Sequence, residues 1–232
     1  MESSEDPSAS RAFIVLARVA TALVLLFLVL LILLHFLEPE FDPSWRMISE
    51  YELGQFGWMM RLAFFAWGAS ILLLTSALWR SLRKTSGRIG SWWMLLIGVV
   101  IIGAGIFKTN PITGAAANLD NTLHTICGGI TILTFPIASS LVGRSLRRTN
   151  EPLKRLILVM ALLVWIGMVS YFGSIIISVA INPAAAKGGP EVYQGWPNRF
   201  MVATYAAWIV IVGQRFSAIA RKATVARPFS SG

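Results

Sequence analysis

Residues 12–37 read AFIVLARVATALVLLFLVLLILLHFL, an apolar run broken by a single charge, Arg18. A helix needs about 20 such residues to cross the hydrocarbon layer of a bilayer, so this stretch predicts a membrane span. Its length exceeds the roughly 7–15 apolar residues of a secretory signal, and no small-residue cleavage site follows. It therefore reads as a retained anchor, with Arg18 about two turns in and able to snorkel to the nearer face.

Five further apolar stretches follow, at 57–79, 89–107, 121–143, 156–181 and 199–216, each fenced by charges. The expected fold is all-α, a polytopic six-helix transmembrane bundle over 12–216. Residues 1–11 are expected to be a disordered cytoplasmic tail and 217–232 a basic cytoplasmic tail. Hydrophobic residues make up 56% of the 232-residue chain and charged ones 13%, about half the charged fraction of an ordinary soluble domain. The single cysteine, Cys127, excludes an internal disulfide and any Cys-x-x-Cys metal or redox motif. It sits beside Gly128 and Gly129, where a small packing residue is expected.

The net charge of +9 is organised by topology, which argues against a nucleic-acid partner. Fourteen basic residues fall on one set of connections: Arg11; Arg80, Arg83, Lys84 and Arg88; Arg144, Arg147, Arg148, Lys154 and Arg155; Arg215, Arg221, Lys222 and Arg227. The alternate connections carry five (Arg46, Arg61, Lys108, Lys187, Arg199) against seven acids: Glu38, Glu40, Asp42, Glu50, Glu52, Asp120 and Glu191. An excess of Lys and Arg marks cytoplasmic loops. Both termini are thus expected inside, with the basic loops against anionic headgroups of a prokaryotic plasma membrane.

Local signals fit this layout. Ser49-Glu50-Tyr51-Glu52 has the form of a capping box, with Ser49 as cap and Glu52 reaching back. Asp120 or Asn121 is placed to cap the fourth span, and Pro197 suits the first turn of the sixth. Pro111 and Pro183 would end the outward helices before them. Gly98, Gly103, Gly105, Gly128 and Gly129 are expected to let helices approach closely, and Trp58, Trp92, Trp93 and Trp196 to mark the interfaces. Asn110-Pro111 with Ala115–Ala117 faintly echoes Asn182-Pro183 with Ala184–Ala186, the trace of a possible internal repeat.

No Asp or Glu lies inside a span, which weighs against proton-coupled transport. Candidate chemistry collects instead at the outer end, where spans two, four and six begin with Arg61, His124 and Arg199. Fifteen residues part Arg199 from Arg215, roughly 22 Å of helix against a core of about 30 Å, so one guanidinium needs a partner below the headgroups. Arg61, His124 and Arg199 are expected to converge on an anion such as a lipid phosphate, with Glu50 positioning an arginine. The plainer alternative is that the arginines pair with Glu50, Glu52 or Asp42 and close the bundle end. Neither a catalytic residue nor a metal site is assigned and no cofactor is expected. A bis-histidine haem on His35 and His124 and a hydrolase or transferase using His124 with nearby acids are weaker readings, as is a small-solute transporter using Ser70, Thr131 or Ser174.

At these positions the chain resembles the uncharacterised six-span proteins grouped as domain of unknown function 998. The matching pieces are Ile48-Ser49-Glu50-Tyr51, Gly57-Trp58-Met59-Met60-Arg61, Gly105-Ile106-Phe107, His124 and Gly195-Trp196-Pro197-Asn198-Arg199, in an order that covers about 12–216. A looser likeness is to six-span proteins of the damage-regulated autophagy modulator type. The first resemblance implies no activity; the second implies lipid organisation or signalling. The expectation drawn here is a non-enzymatic protein whose partners are membrane lipids and an anionic or lipid-like ligand at the outer end.

Overall fold

The computed structural model describes residues 7–113, 118–149 and 154–225. Six long helices fill them: α1 (Pro7–Leu37), α2 (Gly57–Leu78), α3 (Thr85–Ile106), α4 (Leu119–Thr149), α5 (Lys154–Ile181) and α6 (Gly195–Val225). All six contain stretches long and apolar enough to cross a membrane. Short 3-10 helices at Ile48–Leu53 and Pro183–Lys187 lie in the first and last of the longer connections. Helix is already present at Pro7 and persists to Val225, beyond both expected edges at 12 and 216. The expected tails at 1–6 and 226–232, and Ala115–Ala117 of the faint repeat, lie outside the described residues.

The helices pack as a ring in chain order, α6 closing on α1, with α2 also touching α6. Because helices alternate in direction, segments 38–56, 107–113 and 182–194 share one end of the bundle with every acid among the described residues (the acidic end). The turn after α2, the start of α1 and the ends of α4 and α6 occupy the other (the basic end). Lipid-facing positions are apolar: Phe36, Ile176 and Val169 are each more than half exposed, the expected outer surface of a protein whose solvent is hydrocarbon. Trp58, Trp92, Trp93 and Trp196 are exposed as well.

Glycine sets the tightest crossing. A Cβ on Gly68 would lie 2.7 Å from the carbonyl oxygen of Gly98, and one on Gly98 would lie 3.1 Å from that of Gly68, so α2 and α3 meet backbone to backbone. Gly105 presses on α2 and Gly103 faces Cys127 Sγ. Gly128 and Gly129 do the opposite of what was expected, since nothing lies within 4 Å of a Cβ on either.

Pro136 sits inside α4 and cannot donate the backbone bond that Ile132 would otherwise accept. Tyr205 of α6 supplies that bond, its hydroxyl donating to the Ile132 carbonyl at 2.8 Å. Its ring stacks on Phe135 at 4.4 Å. A proline deep in a membrane helix is thus satisfied by a neighbouring helix, as an apolar solvent requires.

Three substitutions test this packing in detergent-solubilised protein by thermal unfolding. Gly68→Ala is expected to lower stability by about 1–3 kcal/mol through overpacking, while Gly128→Ala leaves the melting temperature unchanged or raises it. Tyr205→Phe is expected to cost about 1–3 kcal/mol for the carbonyl left unpaired.

Candidate functional site

Connection 38–56 folds down onto the bundle as a cap, and buried carboxylates sew it in place. Glu38 accepts from the Phe56 amide. Glu50, with no exposed surface, accepts from Arg46 at 2.6 Å, from the Met47 amide at 3.2 Å and from the Ile112 amide at 3.0 Å. Glu52 accepts from the Thr109 amide at 3.2 Å. The capping pattern is therefore displaced from its expected place: Glu50, not Glu52, reaches back, and to Met47. At α4 the cap is Asn118, whose side chain accepts from the Asn121 amide at 2.8 Å. Asn121 is spent elsewhere, accepting from the Asn110 amide at 2.9 Å.

Arg199 locks the cap to the helices. It is buried, and its Nε donates to His35 Nε2 at 2.7 Å. One terminal nitrogen donates to the carbonyls of Arg46 and Gly195, at 2.7 and 3.0 Å. The other donates to the Tyr51 hydroxyl at 3.1 Å. His35 Nδ1 lies 2.7 Å from the Leu31 carbonyl. A carbonyl only accepts, so the His35 proton is on Nδ1 and Nε2 is free to receive Arg199. Glycine admits the contact, since a Cβ on Gly195 would run into the Pro43 and Arg46 carbonyls.

Under this cap lies a cavity of about 550 Å³ bounded by the 47–49 segment, α2 to α6 and residues 109–112. Its inner wall is apolar, formed by Phe64, Trp67, Ile101, Ile132, Met201 and Val202, and its rim toward the acidic end is polar, with Ser49, Asn110, Asn121, His124, Thr125 and Asn198. Gly128 and Gly129 line it, which explains the empty space beside them. Leu133 also lines it and is 52% exposed, so the cavity reaches the lipid-facing surface along α4, which packs more on α3 than on α5.

The four expected site residues separate. His124 lines the cavity; its Nδ1 donates to the carbonyls of Ala104 and Phe107, both at 2.9 Å. That leaves Nε2 as an acceptor with no partner among the described residues. Arg61 is exposed and Arg199 is turned into the cap, and neither lines the cavity. The expected convergence of Arg61, His124 and Arg199 on one anion is not what the structure contains: one guanidinium has solvent or lipid to itself, and the other is consumed by four acceptors. Glu50 does hold an arginine, but it is Arg46. The plainer pairing of Arg61 or Arg199 with a carboxylate is also absent among the described residues. Nor do His35 and His124 share a ligand site, each being turned to different partners.

Trp67, Tyr171, Asn198 and Tyr205 complete the cavity and were not singled out from sequence. Asn198 lies within the Gly195–Arg199 motif and accepts from the Ile48 amide at 3.2 Å, so the motif itself pointed there. Trp67 and Tyr171 stand in apolar runs with no local signal. Trp67 Nε1 is buried without an acceptor. Below the cavity, Ile71, Leu74, Leu78, Met94, Val142 and Trp208 close around a void of about 10 Å³.

Burial pushes the Glu52 carboxyl up to about 7, against the Thr109 amide and the positive charges of Arg61 and Lys108, which pull it down. Its Oε1 has no partner and its Oε2 lies 3.8 Å from His124 Nδ1. Asp42, at the surface, is held below the usual carboxylate range by the Ser44 amide.

A scan of protein-family models matches residues 20–215 to the family described as Protein of unknown function (DUF998). The chain belongs to that family. Its members carry no assigned activity in that description, so the family adds membership and extent to the geometry above. Comparisons with curated proteins and with solved structures returned no match.

Two measurements follow from this geometry. Between about 4.5 and 7 the folded chain holds the Glu52 proton that an unfolded chain releases. Stability should therefore fall as pH rises through that window and level off above it. Thermal unfolding from pH 5 to 8 is expected to show this decline, and Glu52→Gln to reduce its slope. Arg199→Ala is expected to cost about 3–5 kcal/mol, because His35, Tyr51 and the Arg46 carbonyl lose a buried charged donor. Arg199→Lys should recover only part of it, since one ammonium cannot reach all four acceptors.

Proposed function

We propose that this DUF998 protein is a non-enzymatic membrane protein that binds a lipid-like amphiphile with an uncharged polar head in the cavity beneath the 38–56 cap. The cavity carries the proposal: it is apolar inside, polar at the rim and open toward the membrane-facing side of α4. Such a site suits a molecule whose chain lies in hydrocarbon and whose head reaches the interface. The rim has hydrogen-bonding capacity of both kinds, with donors on Ser49, Asn121, Thr125 and Asn198 and an acceptor at His124 Nε2. No Lys or Arg is among the lining residues, which favours a neutral head over the anionic one expected from sequence. By the distribution of Lys and Arg, we assign the acidic end to the outer face of a plasma membrane.

Binding is favoured over passage. Ser70, Thr75, Thr131 and Ser174 each donate to a carbonyl of their own helix, and apart from Thr75 and the Trp208 indole the residues around the void below the cavity are apolar. A hydrolytic reading is disfavoured by His124, whose Nδ1 is spent on two carbonyls rather than on Glu52.

Gly129→Leu, alone and with Gly128→Leu, extends an apolar side chain into the cavity from positions where a Cβ meets no neighbour. Solvent extraction of purified protein followed by mass spectrometry should find an amphiphile retained by the unmutated chain and lost from the filled variants. Equal retention, with folding intact by thermal unfolding, would remove the proposal.

A further inference from the structure

At the basic end, α1 and α6 enclose an open groove of about 250 Å³ lined by Arg18, Thr21, Gln214, Ser217, Ala218 and Arg221. We propose that this groove clasps the phosphate of an anionic phospholipid, with Arg18 and Arg221 as its two cationic jaws. The site is separate from the cavity under the cap, and neither reading depends on the other.

The first argument is the state of the guanidiniums. Arg18 and Arg221 are exposed, and neither has a hydrogen-bond, ion-pair or ring partner among the described residues. Arg11, Arg144, Arg155 and Arg215 at this end are exposed too but do not line the groove, while Arg80 lies over Phe13 at 5.0 Å, Arg88 lies over Trp79 at 4.6 Å, and Arg83 donates to the Arg80 carbonyl at 3.3 Å. The second is that every acid among the described residues lies at the opposite end of the bundle. Arg18 lies seven residues into the span that begins at Arg11, about 10 Å along the helix axis. A charge at that depth is costly unless it meets an anion or the headgroup layer, and a lipid phosphate offers both.

The groove is also built to hold its shape. Gly213 lets α6 approach α1 next to it: a Cβ there would lie 2.6 Å from Thr21 Oγ1 and 3.3 Å from the Ala17 carbonyl. Thr21 and Ser217 are buried, and each donates its proton to its own helix, at 2.9 Å to Ala17 and 2.8 Å to Gly213. Their oxygens are left as acceptors. The lining therefore offers guanidinium donors for a phosphate beside hydroxyl acceptors and the Gln214 amide for a hydroxyl-bearing headgroup. Phosphatidylglycerol has that combination: one negative phosphate and a glycerol with two free hydroxyls.

The test reconstitutes the full chain in phosphatidylcholine nanodiscs with increasing phosphatidylglycerol and counts retained lipid by native mass spectrometry. Phosphatidylglycerol is expected to be retained over phosphatidylcholine by the unmutated chain. Arg18→Gln with Arg221→Gln should reduce that preference about tenfold or more, as loss of charge-assisted contacts implies. Arg83→Gln with Lys84→Gln removes the same charge from exposed positions at the same end and should leave the preference in place. Equal losses in the two double variants would assign it to general surface charge and overturn the site. Retention unchanged in Arg18→Gln/Arg221→Gln would do the same, as would inorganic phosphate competing as well as the lipid. All four positions are exposed, and matching unfolding temperatures confirm that folding is unaffected.

Discussion

A guanidinium buried in a membrane helix with no carboxylate against it governs the acidic end of this protein. Arg199 resolves the difficulty with neutral acceptors: a histidine ring nitrogen, two carbonyls and a phenol. Those acceptors come from α1, from the 38–56 connection and from α6 itself, so satisfying one side chain fixes three parts of the chain together. The arrangement depends on the His35 tautomer, because a proton on Nε2 would put a donor against a donor. The Leu31 carbonyl selects that tautomer through Nδ1. An apolar helix end, a histidine and an arginine 164 residues later thus form one unit.

Once the cap is anchored, its own carboxylates can be buried. Glu50 satisfies one arginine and two amides, and Glu52 is carried into surroundings dry enough to keep its proton near neutral pH. These glutamates serve the backbone of the loops rather than the space beneath them. The cavity below is left with an uncharged rim, and its depth is set by two features of α4. Gly128 and Gly129 provide the hollow, and Pro136 draws Tyr205 across to form part of the wall. The same substitution of neutral partners for ionic ones therefore shapes both the closure of the bundle and the character of the space it encloses.

The bundle was readable from sequence because membrane spans are declared by length and charge alone. A run such as 12–37 has only one stable form in hydrocarbon, whatever its neighbours do. Gly98 and Gly105 were also read correctly as close contacts, since both face a helix adjacent in the chain. Gly128 and Gly129 were not, because glycine permits an approach without requiring one, and here both line the cavity instead. At the site, the anomaly of Arg199 was legible as a helix too short between two charges, but its partners were not. Coulomb reasoning points to Glu50 or Asp42, whereas the bonds actually formed run to groups that carry no charge. Trp67 and Tyr171 were hidden for a simpler reason: in a chain rich in buried aromatics, nothing local distinguishes a residue facing a cavity from one facing another helix.

The two ends of the bundle meet the cost of charge in a membrane by opposite means. At the acidic end cations and anions are both present, and the 38–56 connection has enough backbone to absorb two of them, so Arg46 and Arg199, though not Arg61, are satisfied within the chain. At the basic end the described connection after α2 is short and carries no acid, and Arg18 and Arg221 have no partner among the described residues. On the reading proposed above, that charge is answered from outside the polypeptide. The adjacent phase contains phosphates at high local concentration, held at about the depth a snorkelling arginine reaches. On the two readings proposed above, the asymmetry of charge between the ends would also divide the selectivity: a neutral amphiphile beneath the cap, whose lining carries no charge, and an anionic lipid in the groove lined by Arg18 and Arg221.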